Sequence, residues 1–144
     1  MKEKKSRFCQ VIKVKKLKEN RAQTELTQIR SLREQEKVAL GSLSKQRDHA
    51  MDAAVRTIKA RAADVQTSRA FIENLSMQIR QQEKRLEGIQ NQENEKREDL
   101  IQKTQARRIV EKLDEKRKEI LAKETERKEQ RLLDALSRRR GLVS

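Results

Sequence analysis

Residues 71–89 read Phe-Ile-Glu-Asn-Leu-Ser-Met-Gln-Ile-Arg-Gln-Gln-Glu-Lys-Arg-Leu-Glu-Gly-Ile, and this stretch decides the fold. Ile72, Leu75, Ile79, Leu86 and Ile89 recur in alternating three- and four-residue steps, with Gln82 at the one polar position. That spacing draws one narrow stripe along a helix, the a and d positions of a heptad abcdefg. A stripe so narrow cannot be covered by its own helix. It needs a partner, and the first third of the same chain offers one.

Upstream, Phe8, Val11 and Ile12 open an apolar stripe that resumes at Ala22, Leu26, Ile29, Leu40, Leu43, Ala50 and Ala54. Arg33, Glu36 and Arg47 interrupt the stripe and keep its phase. Gly41 is the one weak helix former inside it, about 1 kcal/mol worse than alanine. Between Thr57 and Ser68 the seam lapses, and Asp64, Thr67 and Ser68 offer helix N-caps. No glycine or proline marks this turn. The alternative is one continuous helix, whose seam a second chain would have to cover.

Downstream the apolar positions thin to Ile109, Val110, Leu113, Ile120 and Leu121, then Leu132, Leu133 and Leu136. Asp114–Lys118, Glu119–Lys123 and Glu124–Lys128 are acid-first i,i+4 pairs, which support an exposed helix by about 0.2–0.5 kcal/mol each. The expected fold is all-α: a long antiparallel two-helix coiled-coil hairpin with a projecting charged C-terminal helix end. It forms a single domain over 1–144, with helix 1 at about 2–57, a turn at about 58–67 and helix 2 at about 68–140.

In an antiparallel pair, a layers face d layers, so the numbers of opposing residues add to a constant. A constant of about 129 matches the most apolar layers. It sets Phe8 by Leu121, Ile29 by Leu100, Leu40 by Ile89, Leu43 by Leu86 and Gly41 level with Gly88, and centres the turn on Asp64 and Val65.

Composition narrows the function. The chain is 42% charged and 1% aromatic, with no proline and three glycines, too polar for an ordinary globular core. His49 is the only histidine, so no histidine-based triad or metal cluster can form within one chain. Cys9 is alone, without a positioned base, and fits a reducing compartment. Gly41, Gly88 and Gly141 match no phosphate-binding loop. The sequence therefore predicts a non-enzyme without cofactor or metal, and no apolar run predicts membrane insertion.

The net charge of +14 is concentrated at the chain ends. Eight cations from Lys2 to Lys18 stand against Glu3 alone, and Arg138, Arg139 and Arg140 add three more. Folded back, both basic runs lie toward one end. This is either a solvated surface or a pole that docks on something acidic. Nucleic acid fits less well. Acids are interleaved throughout, and there is no tyrosine or tryptophan to stack on bases.

Four segments together resemble the FliJ family of the flagellar type III export apparatus, to which YscO-like injectisome proteins are related. They are Arg7-Phe8-x-x-Val11-Ile12, Arg69-x-Phe71-Ile72-x-x-Leu75-x-x-x-Ile79, Glu111-Lys112-Leu113-x-Glu115-Lys116, and Glu126-Arg127-Lys128-Glu129 with Asp134 following. The resemblance implies a monomeric cytoplasmic stalk or adaptor, similar to the coiled coil of a rotary ATPase γ subunit. Its implied partners are the hexameric export ATPase, an export gate membrane protein and export chaperones, met at the cytoplasmic face of the inner membrane. Carried over, the ATPase contact falls on Phe8, Val11, Lys13, Lys15, Lys16 and Lys18 with the helix after Ile120. The gate contact falls on Phe71 and Leu75. Phe71 flanks the seam at a g position; Leu75, at d, also fits simple seam packing. The readings from other classes are a structural coiled coil that dimerises in parallel and a basic nucleic-acid-binding hairpin.

Overall fold

The computed structural model describes residues 7–56 and 62–143. The described residues form two helices, α1 (Arg7–Arg56) and α2 (Ala62–Val143), packed against each other as the fold class requires. By internal contacts they divide into two compact units. One is Arg21–Leu100; the other joins the residues up to Asn20 to those from Ile101.

Burial follows the heptad closely. On α1 every residue at the expected a and d positions from Phe8 to Ala54 is buried or half-buried, and on α2 the same holds from Ile72 to Arg117. Ala22, Leu26, Leu75, Ile79 and Ile89 are the buried apolar residues, at 1–7% exposure. Among the described residues no large side chain is sealed completely, as expected where two helices pack through one seam.

Within Arg21–Leu100 the helices are antiparallel. Lys96 Nζ donates to Glu25 Oε2 at 2.8 Å, Arg33 Nη1 to Glu93 Oε2 at 2.5 Å, and Gln82 Nε2 to the Glu36 carbonyl at 3.3 Å. The unit that includes Asn20 and Ile101 shows the same sense, with Thr104 Oγ1 donating to Glu19 Oε1 at 3.1 Å and the Arg117 guanidinium 5.8 Å from the centre of the Phe8 ring.

These contacts correct the register. Their residue numbers add to 121, 126, 118, 123 and 125, centred one heptad below 129. A constant of about 122 levels Ile29 with Glu93, Leu40 with Gln82, Leu43 with Ile79 and Ala54 with Ser68. At 129 Arg33 would face Lys96 and Glu36 would face Glu93, two successive like-charge layers. One heptad lower, Arg33 reaches Glu93, Lys96 reaches Glu25, and the Gln82 amide donates to both the side chain and the backbone carbonyl of Glu36. Avoiding like charges outweighs matching leucines. Phe8 therefore meets Arg117, and Leu121 is 49% exposed beyond the seam.

Two further expectations change. Helix α2 begins at Ala62, so Asp64, Thr67 and Ser68 lie inside it, with Asp64 in the first turn favouring the helix N-terminus. Thr67 Oγ1 donates back to the Ala63 carbonyl at 3.0 Å. The part of the expected turn at 57–61, and Lys2, Lys4 and Lys5, lie outside the described residues. Gly41 is not level with Gly88 in this register, and a Cβ at either would meet nothing within 4 Å. From Lys118 to Gly141 every residue of α2 is exposed, the charged end expected from sequence.

Candidate partner-binding sites

The first candidate surface lies near the start of α1. The heptad that buries Ile12 turns Lys13, Lys16 and Lys18 outward, and all three are exposed. Lys15 occupies a d position and is half-buried in the seam. Phe8 is half-buried against Arg117, a cation–π contact of about 0.5–1 kcal/mol. Val11 is 41% exposed. None of the four lysines makes an ion pair with another described residue. The six residues thus divide into an outward group (Val11, Lys13, Lys16, Lys18) and an inward pair (Phe8, Lys15).

A polar cluster spans this region, with Asp114 Oδ1 and Arg117 Nε buried without a hydrogen-bond partner. Arg107 reaches Glu19 across the seam through Nε and Glu111 along its own helix through Nη1 at 2.9 Å. The Arg107 hydrogen bond is the main reason Glu19 titrates below the usual carboxylate range, against the opposing push of burial, with Thr104 adding to it. Bonds to Glu19 and Glu111 raise Arg107 in return. Asp114 is 8% exposed, with Lys118 Nζ at 3.3 Å and Arg117 Nη2 at 3.7 Å.

The second candidate surface is at the start of α2. Phe71, at g, is 54% exposed, whereas Leu75 is 4% exposed and belongs to the seam. The two are therefore not one contact patch: Phe71 is presented outward and Leu75 packs inward. Met51, Val55 and Val65 are also exposed, at 42%, 66% and 52%. Ala54 and Ser68 are too small to fill their layer. They leave an open groove of about 330 Å³ that Val65, Arg69, Ile72 and Glu73 also line. Such a groove admits an apolar side chain and offers no catalytic chemistry.

Sequence reading passed over one group. Val14, Leu17, Ile109 and Leu113 are 49–65% exposed, outside the seam. The signal was available, since these residues fall at c, f and g rather than a and d. Among the described residues no group of histidine, cysteine and carboxylate side chains has metal-site geometry. No described helix is long and apolar enough to cross a membrane.

The family model described as Flagellar FliJ protein matches residues 4–143, nearly the whole chain. Searches of curated proteins and of solved structures returned no match.

Proposed function

Since the chain belongs to the Flagellar FliJ protein family, a component of flagellar export, we propose that it is a soluble, cytoplasmic, non-enzymatic stalk or adaptor of the export apparatus. In this reading it binds the export ATPase ring through α1 near its start and the export gate through the surface around Phe71. It promotes export by joining the two at the inner membrane. The observation that carries the reading is the family match over residues 4–143. Two features support the contact assignments. The outward lysines 13, 16 and 18 form no ion pair with another described residue, so an acidic protein surface can take them without breaking one. Phe71 is exposed although it is one of only two phenylalanines, and exposed aromatics are favoured anchors at protein interfaces.

The test is co-purification of the export ATPase with the chain from the native cell, repeated with Lys13, Lys16 and Lys18 all changed to glutamate. The expected result is ATPase capture by the wild type, weakened by added salt and reduced by the triple reversal at unchanged helical circular dichroism. Capture that is equal in wild type and variant removes the proposed contact. Absence of capture removes the ATPase from the reading.

A further inference from the structure

We propose that one flank of the unit joining the residues up to Asn20 to those from Ile101 is a docking surface for an acidic amphipathic helix of another protein. The inference goes beyond the contacts assigned above: it shares Val11 and Lys18 with them but rests on Val14 and on the α2 residues Ile109, Leu113, Lys112 and Lys116, outside them.

The heptad phase places Val11 and Leu113 at g, Val14 and Ile109 at c, and Ile120 at g. In an antiparallel pair the g edges of the two helices lie on the same side, and c positions lie just outside them. These five apolar residues therefore share one flank. They are 41%, 49%, 50%, 60% and 58% exposed respectively, so none is used by the seam. Level with them, the e and b positions of the opposite flank carry Cys9, Lys13, Lys16, Arg108, Glu111, Glu115 and Lys118, polar apart from the cysteine. Exposed apolar residues also stand elsewhere in this unit, at Leu17, Ile101, Leu132, Leu133 and Leu136, but these five gather on one flank, and a gathered apolar patch is the pattern of an interaction surface. From Ile109 to Ile120 it runs about 16 Å along α2 at 1.5 Å per residue, or three turns of a docked helix.

Charge selects the occupant. Lys18, Lys112 and Lys116 border the stripe, are exposed, and form no ion pair with another described residue; Glu119 is the one acid beside them. A helix with an apolar stripe edged by glutamate or aspartate would bury the five residues and pair the three lysines, the helix-in-groove mode of recognition. A second copy of this chain would bring its own lysines onto these lysines, and at a net charge of +14 it fits poorly.

The test titrates the full chain against a labelled synthetic helix with leucine at a and d and glutamate at e and g. Two controls run beside it: the twin with lysine for glutamate, and an acidic peptide of the same composition with its heptad scrambled. The proposal expects binding of the acidic helix alone, weakened by salt. It expects at least tenfold weaker binding for the Ile109→Ser, Leu113→Ser double variant and for Lys112→Glu with Lys116→Glu. Both variants change exposed residues, and circular dichroism confirms the fold. Lys13→Glu with Lys16→Glu, on the other flank, leaves peptide binding intact while it reports on the ATPase contact, which keeps the two readings separable. Failure of the acidic helix to bind overturns the proposal. So does equal binding of either control peptide, or full binding by the double serine variant. Self-association of the wild type that the same variant abolishes gives the flank to a second copy and overturns it as well.

Discussion

Arg33 of α1 donates across the seam to Glu93 of α2 at 2.5 Å, and Glu93 is 3% exposed. Arg30 and Arg97 close on the same carboxylate at 3.4 Å and 3.2 Å. A buried carboxylate held by three arginines can sit level with only one part of α1, so this contact fixes the register. Replacing a buried pair by apolar residues is often neutral, whereas removing one member leaves a charge unpaired. Glu93→Ala should therefore destabilise by about 2 kcal/mol. Arg33→Leu with Glu93→Leu, which removes the pair, should cost less than Glu93→Ala. Thermal unfolding by circular dichroism checks both, and equal losses would show that the unpaired arginine is not what Glu93→Ala costs.

The register itself is open to a disulfide test in a Cys9→Ser background. Cysteines at 43 and 79 should oxidise efficiently within one chain, and cysteines at 43 and 86 should not. A gel-shift and thiol count after mild oxidation distinguishes them. Preference for the second pair would return the register to the leucine-matched alignment.

Acid should loosen the fold through two carboxylates. Burial pushes Glu93 up, but Arg33, Arg30 and Arg97 outweigh it and leave the group below its ordinary value. Glu19 is lowered by Arg107. A carboxylate depressed in the folded state stabilises above its unfolded value, about 4.3, and loses that contribution as pH falls through the folded value. Stability should be flat from neutral pH down to about 4.5, then fall. The fall should be shallower in Glu93→Gln, read as denaturant midpoint against pH.

Gly41 and Gly88 lie within helices, with no positive φ and nothing within 4 Å of an added Cβ. Alanine at each should stabilise by up to about 1 kcal/mol. A lower melting temperature for either variant would reveal a close approach at that position.

Phe71 and Leu75 should separate cleanly. Phe71→Ala, at 54% exposure, should cost less than about 1 kcal/mol and still reduce motility. Leu75→Ala, at 4% exposure, should cost about 2–4 kcal/mol by opening the seam. Melting curves with swimming assays test the pair. Loss of motility only in proportion to stability would remove Phe71 from the gate contact.

The stripes were legible because burial between two helices depends only on the heptad. Leu75, Ile79, Ile89, Ala22 and Leu26 are where the pattern puts them. The register was not, because a slide of seven keeps every a opposite a d. Only the polar layers distinguish the two alignments, through arginine and glutamine side chains long enough to reach diagonally. Arg33 and Glu36 looked like interruptions of the stripe and are among the residues that set it. The start of α2 was obscured because no proline or glycine marks it. For the candidate sites, family motifs pointed to Phe8, the lysines and Phe71. They gave no role to Ile109, or to Leu113 although one motif includes it, because both lie outside the seam positions and the basic run.

The end of α2 from Lys118 to Gly141, exposed on every side, is ordered by its own backbone and side-chain pairs alone. Helices of this kind melt gradually from the tip, by local equilibria uncoupled from the rest of the molecule. A partner that grips this end would halt that melting. Its capture would register as heat released and amide exchange suppressed over these turns, with the seam near Ile79 exchanging as slowly as before.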